Sequence, residues 1–159
     1  MPKIDIKSVP ERKGSGYPHP FHLAAGERVR QQLGDVGGLS QFGVNLLHLP
    51  PGAWSSQRHW HTSSDEFVYV LSGEVTLVTD GGAEILRAGD TAGFAANDPN
   101  GHCLQNRSSA EAQVLEVGTR AEDDTCYYSD IDVVAPAGNM PAIYTHRDGT
   151  PYENIRRRT

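Results

Sequence analysis

Three histidines and one glutamate are the residues of this sequence best suited to chemistry. His59 and His61 are separated by a single residue, Glu66 follows shortly after them, and His102 lies farther along the chain. Three imidazoles and a carboxylate form a ligand set for a borderline divalent ion such as Zn, Fe, Mn, Ni or Co. Four protein ligands leave positions open in a five- or six-coordinate sphere, so the bound ion could also hold a substrate.

This chemistry requires that the four side chains reach one point, and the local sequence favours it. Residues i and i+2 of a β-strand face the same side, so His59 and His61 can point together into an interior while Trp60 points the other way. Glu66 opens the next β-like run, and His102 opens a later one. All four side chains could therefore converge.

The elements that must position these residues are short and separated by turns. Runs rich in Val, Leu, Phe, Tyr and Thr alternate with turn residues, and the chain has 17 Gly and 10 Pro. This pattern is typical of strands in an all-β sandwich or barrel. The predicted strands cover residues 43–49, 66–71, 74–79, 83–86, 90–94, 102–106 and 112–117. The 28–33 segment, RVRQQL, is ambiguous between helix and strand, and we predict an early strand.

Composition excludes several classes of partner. The 159 residues suit one domain, and 14 Lys plus Arg against 20 Asp plus Glu give a formal net charge of −6, which disfavours nucleic acids and anionic membranes. The N-terminal residues contain no apolar stretch, so no signal peptide or membrane span is predicted. Two cysteines cannot form a disulfide framework. We expect a cytoplasmic protein that binds a small molecule.

The signatures of other reaction classes are missing from the sequence. It has neither the Gly-x-Ser-x-Gly turn of a serine nucleophile nor a Gly-rich phosphate-binding loop. These observations disfavour serine hydrolases and nucleotide-binding enzymes.

The metal-ligand pattern lies within a longer motif. It reads Gly52, six residues, His59-Trp60-His61, four residues, Glu66, six residues and Gly73. This segment resembles the first motif of the cupins, a family of small β-barrels, with one extra residue after Gly52.

A second segment is similar to the second cupin motif. It reads Gly93, five residues, Pro99-Asn100-Gly101, His102, three residues and Asn106, with two residues fewer before the histidine than usual. The flanking sequences resemble one bacterial group of single-domain cupins, some of which are labelled sugar-phosphate isomerases.

The resemblance implies a fold, a cofactor and an assembly. The fold would be a double-stranded β-helix, a jelly-roll-like barrel over residues 28–120, with an irregular N-terminal arm over 1–27 and an irregular C-terminal extension over 121–159 that packs on the barrel. The resemblance further implies that one divalent transition metal (Zn, Fe, Mn or Ni) is bound by His59, His61, Glu66 and His102. Cupin barrels often pair, so we expect a homodimer.

Three functions are compatible with such a site. The first is isomerisation of a sugar or sugar phosphate, with Glu66 or a metal-bound hydroxide as catalytic base. The second is an Fe(II) dioxygenase of a small organic acid or catechol-like substrate. The third is a metabolite-binding cupin without turnover, or a barrel whose metal only stabilises the fold.

Neighbouring polar residues could support the site. Metal-bound imidazoles usually donate their second N–H to a carboxylate, a carbonyl or water, and Asn106, Asn45 or Gln57 could accept it. Asn106 could instead close the turn after its strand. Asp65 would replace Glu66 as a ligand only if the loop were shifted by one residue.

Other residues have roles that the sequence leaves open. Arg58 and Arg87 could bind an anionic substrate, although exposed arginine is commoner. Cys103 should face away from the metal by strand alternation. A polar C-terminal set could cover the barrel mouth or contact a second subunit: Tyr127, Tyr128, Asp130, Asp132 and His146.

Overall fold

The computed structural model describes residues 3–138, 143–153 and 155, and most of its regular structure is β-strand. The strands are β1 Glu11–Lys13, β2 Val29–Gln32, β3 Phe42–Leu49, β4 His59–His61, β5 Glu66–Ser72, β6 Glu74–Thr79, β7 Gly82–Arg87, β8 Thr91–Phe94, β9 Cys103–Gln105, β10 Ala112–Thr119, β11 Cys126–Tyr128 and β12 Val134–Ala135. Helical structure in the described ranges is limited to a 3₁₀ turn, Ile6–Ser8, and the four-residue α1, Leu33–Val36. The all-β prediction is confirmed.

These strands form three antiparallel sheets. A six-stranded sheet has the order β1-β2-β3-β10-β5-β8, and two three-stranded sheets have the orders β7-β6-β9 and β12-β11-β4. Alternate residues of the large sheet and of β6 are buried in one apolar core, which includes Leu47, Leu49, Val70, Val75 and Val114. The period of two in these strands therefore separates the core face from the outer face.

The terminal segments are more ordered than predicted. Residues 1–27 contain β1, which pairs with β2, and residues 121–159 contain β11 and β12. Both segments contribute to a second apolar cluster, in which the ring centroids of Tyr17 and Tyr128 lie 5.3 Å apart. Short regular strands thus lie within both of the segments predicted as irregular extensions, and β11 also pairs with β4, which is distant in sequence.

Individual strand boundaries mostly follow the sequence pattern. The structure has β6 at its predicted bounds, and several others differ at their ends by one or two residues. The segment predicted as a strand over 28–33 is a strand at Val29–Gln32, after which the chain turns into α1. β4 and β11 are short strands that pair with each other across a long stretch of sequence, and local alternation alone does not reveal such pairing.

Gly73 joins β5 to β6 in a turn that only glycine fits. Its φ is +75°, and a Cβ there would lie 2.7 Å from the Glu111 carbonyl oxygen and 2.8 Å from the Ala112 Cα. The left-handed backbone and the close approach of β10 both exclude a side chain. The glycine thus fixes where β5, which begins with Glu66, must end.

No helix within the described residues is both long enough and apolar enough to cross a membrane.

Candidate metal centre

Backbone pairing places three of the predicted residues side by side. β4 carries His59 and His61, and His59 forms an antiparallel bridge to His102. The bridge has two reciprocal hydrogen bonds: the His59 N–H donates to the His102 carbonyl at 3.0 Å, and the His102 N–H donates to the His59 carbonyl at 2.9 Å. Directly bridged residues have side chains on the same face, so the main chain itself brings the imidazoles together.

Glu66, at the start of β5, completes the cluster. Its Oε2 atom lies 2.9 Å from His102 Nε2, 3.4 Å from His59 Nε2 and 3.6 Å from His61 Nε2. Three imidazole nitrogens thus converge on one carboxylate oxygen. His59, Glu66 and His102 form a group with ligand atoms all within 4.8 Å of one another, which could hold a metal ion.

The opposite nitrogens of two rings are hydrogen bonded outside the cluster. His59 Nδ1 lies 2.9 Å from the Gln57 carbonyl oxygen, and His61 Nδ1 lies 2.5 Å from Asp124 Oδ2. Since a carbonyl and a carboxylate accept hydrogen bonds, each Nδ1 is a donor, and a ring in its neutral form then has its lone pair on Nε2, the nitrogen that faces Glu66. This tautomer is the one a metal ligand needs, so the donor set fits a borderline divalent ion.

The charges of the cluster are strongly coupled. Burial alone would raise the pKa of Glu66, but hydrogen bonds from His102 and His59 and the charges of His59 and His61 outweigh it, and the pKa lies well below its usual value. Burial likewise lowers the pKa of His59, but hydrogen bonding and attraction to Glu66 reverse the shift and raise it. For His102 burial prevails and the pKa is lowered. Glu66 is therefore ionised at neutral pH.

A cavity of about 210 Å³ opens onto His61, Glu66 and His102. The Phe94 ring, which lines it, stacks on the His102 ring with centroids 3.5 Å apart. The rest of the lining mixes polar and apolar side chains and includes Trp60, Ser64, Leu77, Thr79, Asp98 and Asn100. The cavity is smaller than a pocket for a drug-sized ligand, so it suits a small molecule.

Comparisons with known proteins identify the family. The cupin domain family matches residues 45–118. A crystal structure of a sugar phosphate isomerase of the cupin superfamily from Silicibacter pomeroyi is 46% identical, with a TM-score of 0.91, and the match covers 98% of this chain and 100% of that one. The chain belongs to the cupin superfamily. No curated protein matches this cupin in sequence.

Two further solved structures are similar to this cupin. A sugar phosphate isomerase candidate from Acidithiobacillus ferrooxidans is 27% identical, with a TM-score of 0.74 and coverage of 92% of this chain and 91% of that one. A polyketide cyclase from Streptomyces resistomycificus is 20% identical, with a TM-score of 0.59 and coverage of 75% and 79%. The cyclase shows the fold alone, since one fold hosts many reactions.

The supporting roles predicted for nearby residues are only partly observed. The Gln57 side chain donates to the Phe21 carbonyl, and it is the Gln57 backbone that contacts His59. Asn106 donates to the Leu49 and Ala110 carbonyls, so it closes the loop after β9. These two side chains thus hold the scaffold of the cupin rather than its imidazoles.

Two other predicted candidates, Asp65 and Asn45, have no described hydrogen bond to an imidazole. Asp65 Oδ1 accepts a hydrogen bond from the Ala96 N–H, outside the cluster, which leaves Glu66 as the carboxylate. Asn45 lies on β3, opposite Glu116 of β10, and no described hydrogen bond joins its side chain to an imidazole.

Sequence reasoning missed two residues beside the cluster, Asp124 and Cys126. Asp124 accepts the hydrogen bond from His61, and Cys126 pairs with His61 in the antiparallel β4–β11 register. The sequence did contain an indication of their position, because Cys126 and Tyr128 are separated by one residue, as His59 and His61 are. The pairing of the two segments was not recognisable, since about sixty residues separate them.

The remaining sequence candidates have structural partners. Cys103 is buried and accepts a 3.7 Å contact from Gln105 Nε2, and it is not part of any group of described residues that could hold a metal ion. Arg58 pairs with Asp80 and with Asp130.

The polar C-terminal set packs on its own chain. Tyr127 stacks on Trp60 with centroids 4.9 Å apart, and His146 Nδ1 lies 2.8 Å from Asp132 Oδ2. β11 therefore packs beside β4.

Proposed function

We propose that this cupin is a metal-dependent isomerase of a small sugar. One observation supports it above all: three imidazole Nε2 atoms converge on one carboxylate oxygen of Glu66, a residue that lines a small cavity. In this proposal His59, His61, Glu66 and His102 hold one divalent transition metal, Zn, Fe, Mn or Ni. The name of the Silicibacter pomeroyi relative, a sugar phosphate isomerase, supports the reaction class.

The bound ion would hold adjacent carbonyl and hydroxyl oxygens of the sugar and stabilise the negative charge that develops on them. An aldose–ketose exchange also needs a group that accepts a proton from the carbon next to the carbonyl and returns it to its neighbour. Glu66 lines the cavity and is ionised at neutral pH because its pKa lies well below the usual value. We assign the proton transfer to this carboxylate.

The charge of the cavity favours a neutral sugar over a sugar phosphate. Its lining includes the carboxylates of Glu66 and Asp98, and among the described residues that line it there is neither Lys nor Arg. Arg58, on the neighbouring strand segment, is paired with Asp80 and Asp130. A phosphate dianion would therefore meet two carboxylates and no Lys or Arg in this lining, and the proposed metal ion, whose charge Glu66 partly neutralises, would be the cation available to it.

Turnover in deuterated water tests the proposal. Metal-loaded protein is incubated with aldoses, ketoses and their phosphates, and NMR follows the exchange of aldose for ketose and deuterium uptake beside the carbonyl. We expect turnover of at least one free sugar and weaker turnover of its phosphate. Absence of turnover with every sugar would contradict the isomerase, and dioxygen uptake by the Fe(II) protein with an organic acid would favour the dioxygenase instead.

The variant Glu66→Gln separates the two roles of the carboxylate. It removes the charge and keeps the shape, so lost metal identifies a ligand, whereas retained metal without turnover identifies a base. Glu111→Gln is the matched control, because Glu111 pairs with His48, away from the cluster, at 3.1 Å. A Glu66→Gln protein with wild-type metal content and turnover would contradict both roles.

The homodimer and the cytoplasmic location stay predictions.

A further inference from the structure

β11 places a thiol beside the candidate ligands. In the antiparallel β4–β11 pair, Cys126 is directly opposite His61, and Tyr128 is opposite His59. Directly opposite residues of paired strands have side chains on the same face of the sheet. Cys126 and Tyr128 therefore face the side on which the two imidazoles lie, and Tyr127 faces outward against Trp60.

The distances match a second, overlapping set of ligands. The Cys126 sulfur and one nitrogen from each of His59 and His61 all lie within 4.8 Å of one another. With bonds of about 2.3 Å to sulfur and about 2.1 Å to nitrogen, a tetrahedral ion holds such atoms roughly 3.6 Å apart. A shift of up to about 1 Å would close the set, and small side-chain rotations about Cα–Cβ can supply it.

We propose that Cys126 is a conditional metal ligand, which joins His59 and His61 when the bound ion is thiophilic, such as Zn²⁺, Co²⁺ or Cd²⁺. The proposal rests on the metal site of the proposed function. As the metal–sulfur bond forms, the S–H bond breaks and the proton passes to water, so the ion gains a thiolate. A hard ion such as Mn²⁺ prefers oxygen and nitrogen ligands and binds through Glu66 and the imidazoles without Cys126.

Burial limits the reactivity of the Cys126 thiol. Cys126 is buried, with 7% of its surface exposed, and burial raises the pKa of its thiol. Coordination by a metal ion deprotonates a bound thiol. A thiolate signal in this protein would therefore report the bound ion.

Absorption spectroscopy of the Co²⁺-loaded full-length protein tests the assignment. A thiolate ligand gives a sulfur-to-cobalt charge-transfer band in the near ultraviolet that imidazoles and carboxylates do not produce. We expect the band in the wild-type protein and in Cys103→Ser, whose thiol lies outside both ligand groups. The band should be absent from Cys126→Ser.

Metal affinities provide a second readout. Competition with a chelator should show a loss of at least about tenfold in Co²⁺ affinity for Cys126→Ser, since removing even a hydrogen-bond partner of a ligand has an effect of that size. Its Mn²⁺ affinity should stay within about threefold of wild type.

Two results would overturn the inference. Co²⁺ bound to wild-type protein without the thiolate band excludes Cys126 as a ligand and leaves the proposed metal site intact. Failure of wild-type protein to bind any of these ions contradicts both the inference about Cys126 and the proposed metal site. The wild-type and Cys103→Ser spectra together decide the matter even if Cys126→Ser does not fold.

Discussion

Replacing Asp124 by Asn should weaken metal binding by about 10- to 100-fold, because hydrogen-bond partners of metal-bound imidazoles have effects of this size. The Asp124 Oδ2 accepts from His61 Nδ1 at 2.5 Å, while its Oδ1 accepts from the Ser63 N–H at 2.9 Å and lies 3.5 Å from the Thr62 hydroxyl. Asparagine has one accepting oxygen instead of two. Either His61 or Ser63 must then face an NH₂ group.

The magnitude follows from the role of His61. If the ring N–H lost its acceptor, the imidazole would lose its fixed tautomer and its orientation toward Glu66. A 10- to 100-fold loss corresponds to about 1.4–2.7 kcal/mol. This is also the cost of losing about one hydrogen bond to a charged group, as expected if only the His61–Asp124 hydrogen bond is lost.

Chelator competition with Zn²⁺ or Co²⁺ at neutral pH measures the effect. Asp132→Asn is the matched control, since Asp132 accepts from His146 Nδ1 at 2.8 Å and so forms a carboxylate–imidazole pair away from the cluster. We expect the control to bind metal with wild-type affinity. Wild-type affinity in Asp124→Asn, or an equal loss in the control, would refute the reasoning.

The same substitution should change how stability depends on pH. Burial raises the pKa of Asp124, but hydrogen bonds from the Ser63 amide and His61 outweigh it, and the pKa falls below its ordinary value of 3.8. A carboxyl group whose pKa is lowered by folding stabilises the folded state at pH values above its pKa in the unfolded chain. This stabilisation is lost as the pH falls through its pKa in the folded state. Metal-free wild-type protein should therefore lose more unfolding free energy than Asp124→Asn between about pH 6 and about pH 3.

The joint substitution His59→Ala and His61→Ala should abolish metal retention in a protein that still shows β-sheet circular dichroism; elemental analysis with wild-type metal content would contradict the site. Gly73→Ala should lower the free energy of unfolding by about 2–5 kcal/mol, the sum of the left-handed backbone and the steric overlap. Gly52 has a φ of +84° and nothing within 4 Å of an added Cβ, so Gly52→Ala should show only the backbone contribution to the loss of unfolding free energy in urea denaturation. Equal losses in the two variants would exclude a steric contribution at Gly73. Cys103→Ser should leave metal content unchanged, and a large loss there would show that Cys103 does face the ion.

The sequence predicts most of the barrel and the central cluster, for a local reason. Alternating side chains and glycine turns act within a few residues, so strands such as β5 and β6 are recognisable in isolation. The His59-x-His61 spacing likewise places both imidazoles on one face without any knowledge of tertiary structure.

The rest of the site depends on contacts between distant segments. Asp124 belongs to the run Glu122-Asp123-Asp124, in which all three carboxylates resemble solvated surface charges. Only the pairing of β11 with β4 selects Asp124 as the partner of His61. That pairing spans too many residues for any local pattern to predict.

The β4–β11 pairing has a thermodynamic consequence for the chain as a whole. An ion that binds tightly only when β11 is paired with β4 would oppose detachment of β11, and at a concentration of 100 times its Kd it would add about 2.7 kcal/mol to the free energy of opening. Loading the protein would then protect the C-terminal strand from proteases and amide exchange. By the same linkage, trimming the chain before β11 would weaken metal uptake, even though His59, His61, Glu66 and His102 would all remain.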